Sequence, residues 1–432
     1  MEKFLVLGLG KSGLTALHWL SQQGITAYWA DDLENPPLLS QLDPDLQRKR
    51  WQDGSFDFDA LIKSPGVPRT HPLVRKAQDL HVPIYSDVEL FVRTRREPIL
   101  AITGSNGKTT VTTLVGEMLK KSGIKTVVAG NIGLPVLESL QNSAEIYVLE
   151  LSSYQLEDTP SLAPWAATVL NISDDHLDRY PSRQAYIDAK ANIYRNARFA
   201  IINRDDPCCR VMPAHGEHLT FGLGEPPTAK DAGIQMLDRE PWLVVQGIPI
   251  LKVAELGLKG AHHTANALAA ILLALCANAS LDAIRETLRS FSGLPHRFTH
   301  VGTVGGVDII DDSKGTNVGA TLAALAAVQQ PVVLIAGGDG KGQDFSPLVT
   351  TVAPRARAVV LLGKDAKILF EALIPAQVPL FLVNSLKEAV QCAKSIAKPG
   401  DAILLSPACA STDMFRNYHE RGELFCRYAL ES

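Results

Sequence analysis

The strongest constraint on this chain is the apolar run Ile99-Leu100-Ala101-Ile102, followed by Thr103-Gly104-Ser105-Asn106-Gly107-Lys108-Thr109-Thr110 and a helical stretch from Val111 to Lys121. Strand, glycine-rich loop and helix in that order predict an α/β sheet with a phosphate-binding loop. Backbone N–H groups and the helix N-terminus face an anion, Lys108 adds positive charge, and the Thr109 hydroxyl suits Mg²⁺. The nucleotide candidates are therefore Gly104, Ser105, Asn106, Gly107, Lys108, Thr109 and Thr110. Gly104-x-x-Gly107-Lys108 is shorter than the standard spacing, with Thr103 or an earlier residue where the first glycine would stand. The competing interpretation is a glycine turn with a stray lysine. A bound metal would also need a carboxylate. Glu150 ends the run Ile146–Leu149, and active groups in parallel sheets collect at that strand end; an ordinary strand-end carboxylate is the alternative.

Three α/β segments follow one another. The first has a strand at 4–7, a glycine turn, a helix to about Gln23, and strand-like pieces at 26–30 and 60–63. Arg93-Thr94-Arg95-Arg96-Glu97-Pro98 looks like a linker. The second segment adds strands at 126–129, 146–149 and 167–170, and the third has apolar runs at 331–336, 358–362 and 402–405. Continuous apolar runs alternating with helical stretches predict parallel strands buried on both faces. The expected architecture is three α/β domains: a Rossmann-like domain at 1–94, a P-loop ATPase domain at 95–297 and a second Rossmann-like domain at 298–432.

Composition excludes some classes. The net charge is −4, with no dense Lys/Arg tract, so nucleic acid is not an expected partner. The longest apolar stretch, 265–279, contains Asn266 and Asn278 and is too short to span a bilayer; it reads as a buried helix. The N-terminus carries no signal-peptide pattern. The six cysteines form no CxxC pair, which predicts reduced thiols and a cytoplasmic protein.

Tyr186, Lys190, Ile193 and Tyr194 share one helical face that is otherwise apolar. Lys190 there either snorkels to water or is buried, in which case its uncharged amine becomes available for chemistry. Upstream, His176 lies in Ser173-Asp174-Asp175-His176 as a candidate metal or phosphate ligand, although a lone histidine is more often structural. Gly8-x-Gly10-x-x-Gly13, with Asp31 and Asp32 after the next strand, reads by itself as a dinucleotide site. A nicotinamide-dependent oxidoreductase is thus one alternative function, and a P-loop regulatory protein that hydrolyses ATP slowly is another.

The motifs occur in one order: Gly104–Thr109, Gly130-Asn131-Ile132-Gly133, Glu150–Gln155, Asp175–Tyr180, Gly293–Arg297, Asp312–Asn317 and Ser406–Ser411. As an ordered set covering essentially the whole chain, they closely resemble the Mur ligases. The resemblance implies a ligase of cytoplasmic peptidoglycan-precursor synthesis that joins D-glutamate to UDP-N-acetylmuramoyl-L-alanine through an acyl phosphate. It implies ATP and two Mg²⁺ as cofactors, small-molecule substrates only, and a monomer. Lys190 matches the family's carbamylated lysine, and Glu150 and His176 match metal ligands, beside Thr109. Lys108, Lys190, His176 and Glu150 are the implied catalytic set. Asn266, Arg297 and Asp312 match nucleotide-side positions. Asn131 matches a position touching the UDP substrate. Gly10, Lys11, Ser12, Asp31, Asp32, Ser64, Gly66 and Ser152 are further candidates for that ligand. Lys314, Thr316, Lys341 and Ser411 match the D-glutamate side, with Thr412 and Tyr418 as hydroxyl-bearing departures. His263 stands where the family commonly has Asn and is left out of the nucleotide site. Asp312, Lys314 and Thr316 alternate, which predicts an extended segment with all three on one side. A folate polyglutamate ligase shares the ATPase core, but the first domain argues against it.

Overall fold

The computed structural model describes residues 2–52, 54–175 and 178–431. Its contacts divide the chain into two compact units: Met1–Asn171 with Tyr186–Val253 and Ala265–Arg289, and Ile172–Ala185 with Ala254–Thr264 and Ser290–Ser432.

The first unit holds two sheets. A four-stranded parallel sheet runs in the order Thr26–Ala30, Lys3–Leu7, Ala60–Lys63, Ile84–Tyr85. A nine-stranded sheet runs Ile248–Lys252, Glu240–Val245, Ala232–Leu237, Glu217–Phe221, Phe199–Asn203, Ala166–Val169, Ile99–Thr103, Ile146–Glu150, Thr126–Gly130. Its last six strands are parallel, whereas the first three are joined by antiparallel pairings. Ile99–Thr103 and Ile146–Glu150 are buried at every position, as expected for strands covered on both faces. The helix Lys108–Lys121 covers them with Val111, Leu114, Val115 and Met118, a face of period 3.6. Gly116 on that face lets Val128 approach, since a Cβ there would lie 2.6 Å from Val128 Cγ2.

A polar seam joins the two sheets. Ser86 hydroxyl meets Thr159 hydroxyl at 2.7 Å, and Ser161 N–H donates to Glu89 at 3.0 Å. Lys63 and Asp158 are almost fully buried. The ammonium lies 3.0 Å from Oδ2 but off the hydrogen-bonding direction, and it donates instead to Val67 carbonyl. Arg69 donates to the other oxygen, Oδ1, at 2.5 Å.

The second unit holds a six-stranded sheet in the order Thr299–Val304, Val307–Asp311, Ala402–Leu405, Val332–Gly337, Ala356–Leu362, Leu380–Leu382. Only the first pairing is antiparallel. The apolar layers on its faces centre on Leu334, Val359 and Leu404, and on Ile335, Val360 and Phe425. Among the described residues, no helix is long and apolar enough to cross a membrane.

Candidate functional site

In the first unit, candidate groups collect where the parallel strands end. Gly104 carries φ +150°, and a Cβ on it would press on Leu170 at 3.0 Å. Asn171 clamps the loop: its carbonyl accepts from Ser105 N–H at 2.9 Å and its side-chain oxygen from Asn106 N–H at 2.9 Å. Ser105 hydroxyl pairs with Tyr186 hydroxyl at 2.8 Å. Gly107 sits in the left-handed region at φ +82° and opens the helix Lys108–Lys121; a Cβ there would meet Asn266 Oδ1 at 2.6 Å. The expected neighbours, loop and Asn266, are thus together. Lys108 donates to the carbonyls of Gly104 at 2.7 Å and Ser105 at 2.9 Å, so it lies over the loop. Thr109 and Thr110 are in the first helical turn, where N–H groups have no intrahelical partner.

Lys190 does not snorkel. Its side chain is 2% exposed, its ammonium donates to Gly104 carbonyl at 3.0 Å, and it lies 4.7 Å from the Tyr186 ring centre. The helix bearing it spans Arg183–Ala191 and tightens to a 3₁₀ turn at Asn192–Tyr194. Glu150 is 1% exposed; Oε1 accepts from Asn131 at 2.8 Å, while Oε2 is buried with no partner among the described residues. An orphaned carboxylate oxygen at a strand end fits a divalent cation, as does the hard oxygen donor of Thr109. No group of three acidic, histidine or cysteine side chains is poised for a metal among the described residues, and His176 lies outside them. Ser152 caps the helix Ser153–Glu157 in a reciprocal box with Gln155, so its hydroxyl is already engaged in the fold.

The glycine motif near the N-terminus forms the turn its spacing predicts. A Cβ on Gly13 would lie 2.0 Å from Gly8 carbonyl, whereas Gly10 faces open space, leaving room for a ligand beside the backbone. Asp31 accepts from Leu9 N–H at 2.6 Å and Leu33 N–H at 2.9 Å; Asp32 pairs with His71 at 3.0 Å. Ser64 donates to Gly8 carbonyl at 2.6 Å. Lys11 is exposed at the start of the following helix, and Gly66 lies in the turn after Ala60–Lys63. Sequence reasoning missed Asp87, which is buried and hydrogen-bonded to Ser12 and Gln155. Burial pushes its carboxyl up, against those bonds.

In the second unit the expected extended segment is absent. The strand ends at Asp311, and residues 312–316 turn: Gly315 N–H bonds Asp312 carbonyl and Thr316 N–H bonds Lys314 carbonyl, both at 2.8 Å. Glycine permits the turn, because a Cβ on Gly315 would lie 2.5 Å from Asp312 Oδ2. Asp312 is consequently buried, accepting from Ser406 hydroxyl at 2.7 Å and Phe298 N–H at 3.2 Å; burial drives its carboxyl up to about 7. Arg297 lies between two residues of positive φ, His296 and Phe298. Lys314 ammonium lies 4.4 Å from the Tyr418 ring centre. Lys341, itself at φ +52°, reaches Asp175 at 3.0 Å, and Asn317 donates to the same carboxylate at 3.4 Å. Ser411 is buried and Thr412 exposed.

Two buried residues that the sequence did not reveal hold these loops. Arg421 donates to Ser313 hydroxyl and carbonyl and to Cys409 carbonyl; burial lowers its guanidinium to about 10. Gln343 donates to Gly340 and Ala408 carbonyls and accepts from Val318 N–H. His263 is buried with Nδ1 unpartnered among the described residues, and burial holds it neutral, near 3.

Family comparisons cover most of the chain. Residues 2–86 match the "Mur ligase MurD-like, N-terminal domain", 102–274 the "Mur ligase middle domain" and 296–409 the "Mur ligase, glutamate ligase domain". A UDP-N-acetylmuramoylalanine–D-glutamate ligase of Methylobacillus flagellatus is 50% identical, covering 99% of this chain and 96% of its own. One of the same name from Pseudomonas putida is 46% identical over 98% and 96%. Among solved structures, the UDP-N-acetylmuramate-alanine ligase of Thermotoga maritima superposes with TM-score 0.62 at 21% identity over 99% of both chains. A folylpolyglutamate synthase of Mycobacterium tuberculosis gives 0.60 at 15% identity over 77% of this chain and 91% of its own; at such identities these two speak for the fold alone. Matching family domains over most of its length and relatives at half identity along nearly all of it, the chain belongs to the Mur ligase family.

Proposed function

We propose that this chain is an ATP-dependent ligase that joins D-glutamate to the L-alanyl carboxylate of UDP-N-acetylmuramoyl-L-alanine, in peptidoglycan-precursor synthesis. The observation that carries the proposal is the phosphate loop at Gly104–Thr110, built beside the orphaned Glu150 carboxylate in a chain half identical to ligases of that name.

The chemistry follows from the residues. The substrate carboxylate attacks the γ-phosphate of ATP, giving an acyl phosphate and ADP. The amine of D-glutamate then attacks the acyl carbon, and the tetrahedral intermediate collapses to the amide and phosphate. Lys108 leaves the loop carbonyls for the phosphates, and the N–H groups of the first helical turn face the same charge. Asn266 packs against Gly107, on the nucleotide side of the loop. Bound Mg²⁺ would neutralise charge on the transferring phosphoryl group, held by Glu150, Thr109 and, as a second ion, by His176 and a carbamate on Lys190. Burial beside Tyr186 suits the uncharged amine that a carbamate needs. The working division is 1–94 for the UDP substrate, 95–297 for ATP and 298–432 for the amino acid, the last through Lys314, Thr316, Lys341, Ser411, Thr412 and Tyr418. Arg297 and Asp312 serve the nucleotide. The enzyme works as a cytoplasmic monomer.

ADP release is measured with UDP-N-acetylmuramoyl-L-alanine against a panel of D- and L-amino acids. Release with D-glutamate together with amide product by mass spectrometry is expected; nucleotide hydrolysis without amide would reject the ligase assignment.

A further inference from the structure

The linker-like stretch at 93–98 has no part in the proposed reaction, yet it walls a cavity of about 640 Å³ in the first unit. The other walls are the residues just before the parallel strands of the nine-stranded sheet: Ile124, Glu145, Trp165 and Arg198, together with Cys276–Asn278 at the end of the helix Ala261–Cys276. The strands that begin here end at the phosphate loop. A five-residue strand spans ~17 Å, so the cavity lies at the opposite edge of the sheet from that loop.

The lining is apolar, through Ile99, Ile146, Pro164 and Trp165, with a few charged groups converging on it, the usual make-up of a small-molecule site. The charges are unequally engaged. Glu145 accepts from Lys125 N–H at 2.8 Å, and Glu97 accepts from Arg96 N–H at 3.1 Å and from Arg95. By contrast, the guanidinium groups of Arg96 and Arg198 make no hydrogen bond or ion pair among the described residues. Arg198 instead stacks 4.5 Å from the Trp165 ring centre. Arg95 is engaged, donating to Glu97 and to Leu140 carbonyl. Three guanidinium groups thus face two carboxylates, and the two without a hydrogen-bonding partner among the described residues, Arg96 and Arg198, are exposed at the cavity, so an anion is favoured there. The planar fork of arginine suits carboxylate, sulfonate or phosphate oxygens.

We infer that this cavity is a second ligand site, taking a small organic anion whose flat apolar body lies along Trp165 while its acidic group meets Arg198. Because it faces away from the phosphate loop, it fills without competing with ATP.

The probe is 1-anilinonaphthalene-8-sulfonate, titrated into the full chain by fluorescence with Mg²⁺ and a non-hydrolysable ATP analogue at saturation. Saturable binding of one molecule per chain is expected. Arg198→Gln is expected to weaken it at least tenfold by removing the charge. Ala163→Trp, at an exposed wall position, is expected to abolish it by filling the space. Both variants should keep ligase activity, because neither residue is in the reaction machinery. Millimolar inorganic phosphate, which has no apolar body, should not displace the probe. Absence of saturable binding, equal affinity in both variants, or displacement by the nucleotide analogue or by phosphate would each overturn the inference. The readout is binding alone, so it stands or falls independently of the ligase assignment.

Discussion

Replacing Asp312 by asparagine should flatten the pH dependence of stability. The carboxyl is buried, neighbours Asp311, and titrates at about 7 in the folded chain against 3.8 for the free side chain. Its folded pKa is raised, so the protonated form is the one the fold favours. Stability from this site is fully present below pH 3.8 and is lost as pH rises through about 7. Integrating proton release between those two values, the wild type should lose ~2–3 kcal/mol between pH 5 and pH 8 from this residue alone. Asparagine is nearly isosteric and permanently neutral. Its oxygen can keep the bond from Phe298 N–H, and its amide can turn the Ser406 hydroxyl into an acceptor that donates onward to Thr321, 3.1 Å away. Asp312→Asn should therefore be about equal to the wild type at pH 5 and more stable by ~2 kcal/mol at pH 8. Urea denaturation of both proteins at the two pH values measures the difference, and titration of the histidines cancels between them. An unchanged difference between pH 5 and pH 8 would refute the burial argument.

Other sites give sharper functional readouts. Lys190→Ala should abolish ligation and recover part of it with added acetate or formate, and full activity without them would reject a carbamate. Gly107→Val must hold a branched side chain at φ +82° against Asn266 Oδ1. It should raise the KM for ATP at least tenfold, at a strain of ~1–2 kcal/mol, as read in steady-state kinetics. Arg421→Met strips hydrogen bonds from the carbonyls of Ser313 and Cys409; leaving them buried and unpaired should cost ~2–4 kcal/mol in chemical denaturation. Lys63→Met leaves Asp158 buried with only Arg69 as cation, and a loss of ~3 kcal/mol is expected in the same assay.

How far the sequence disclosed this molecule depends on the range of the interaction that fixes each part. The strands at 99–102, 146–149 and 402–405 were legible because burial on both faces writes an unbroken apolar run. The phosphate loop was legible because Gly104 and Gly107 adopt φ values that a side chain resists, so local backbone demand is visible as glycine. The antiparallel-paired strands Ala232–Leu237, Glu240–Val245 and Ile248–Lys252 left a weaker signal, since their exposed positions interrupt the apolar pattern. The segment at 312–316 misled by its alternation, because its backbone closes on itself through the Gly315–Asp312 and Thr316–Lys314 bonds, at a glycine that has no room for a side chain.

The residues that escaped notice each reach a partner distant in the chain. Arg421 meets Ser313 at a separation of 108 residues, and Lys63 meets Asp158 across 95. Each is a charge that looks solvated in one dimension and becomes an enclosed tie in three. The ties also fall on the loops that carry candidate ligands: Arg421 on the turn bearing Lys314, Gln343 on the loop bearing Lys341, and Asp87 on Ser12. A loop that must present a side chain to substrate cannot rest on its own contacts, so it is pinned from behind by buried polar groups whose hydrogen bonds are directional. Substitution of such a pin should therefore disturb substrate affinity through loop position even where the chain still folds.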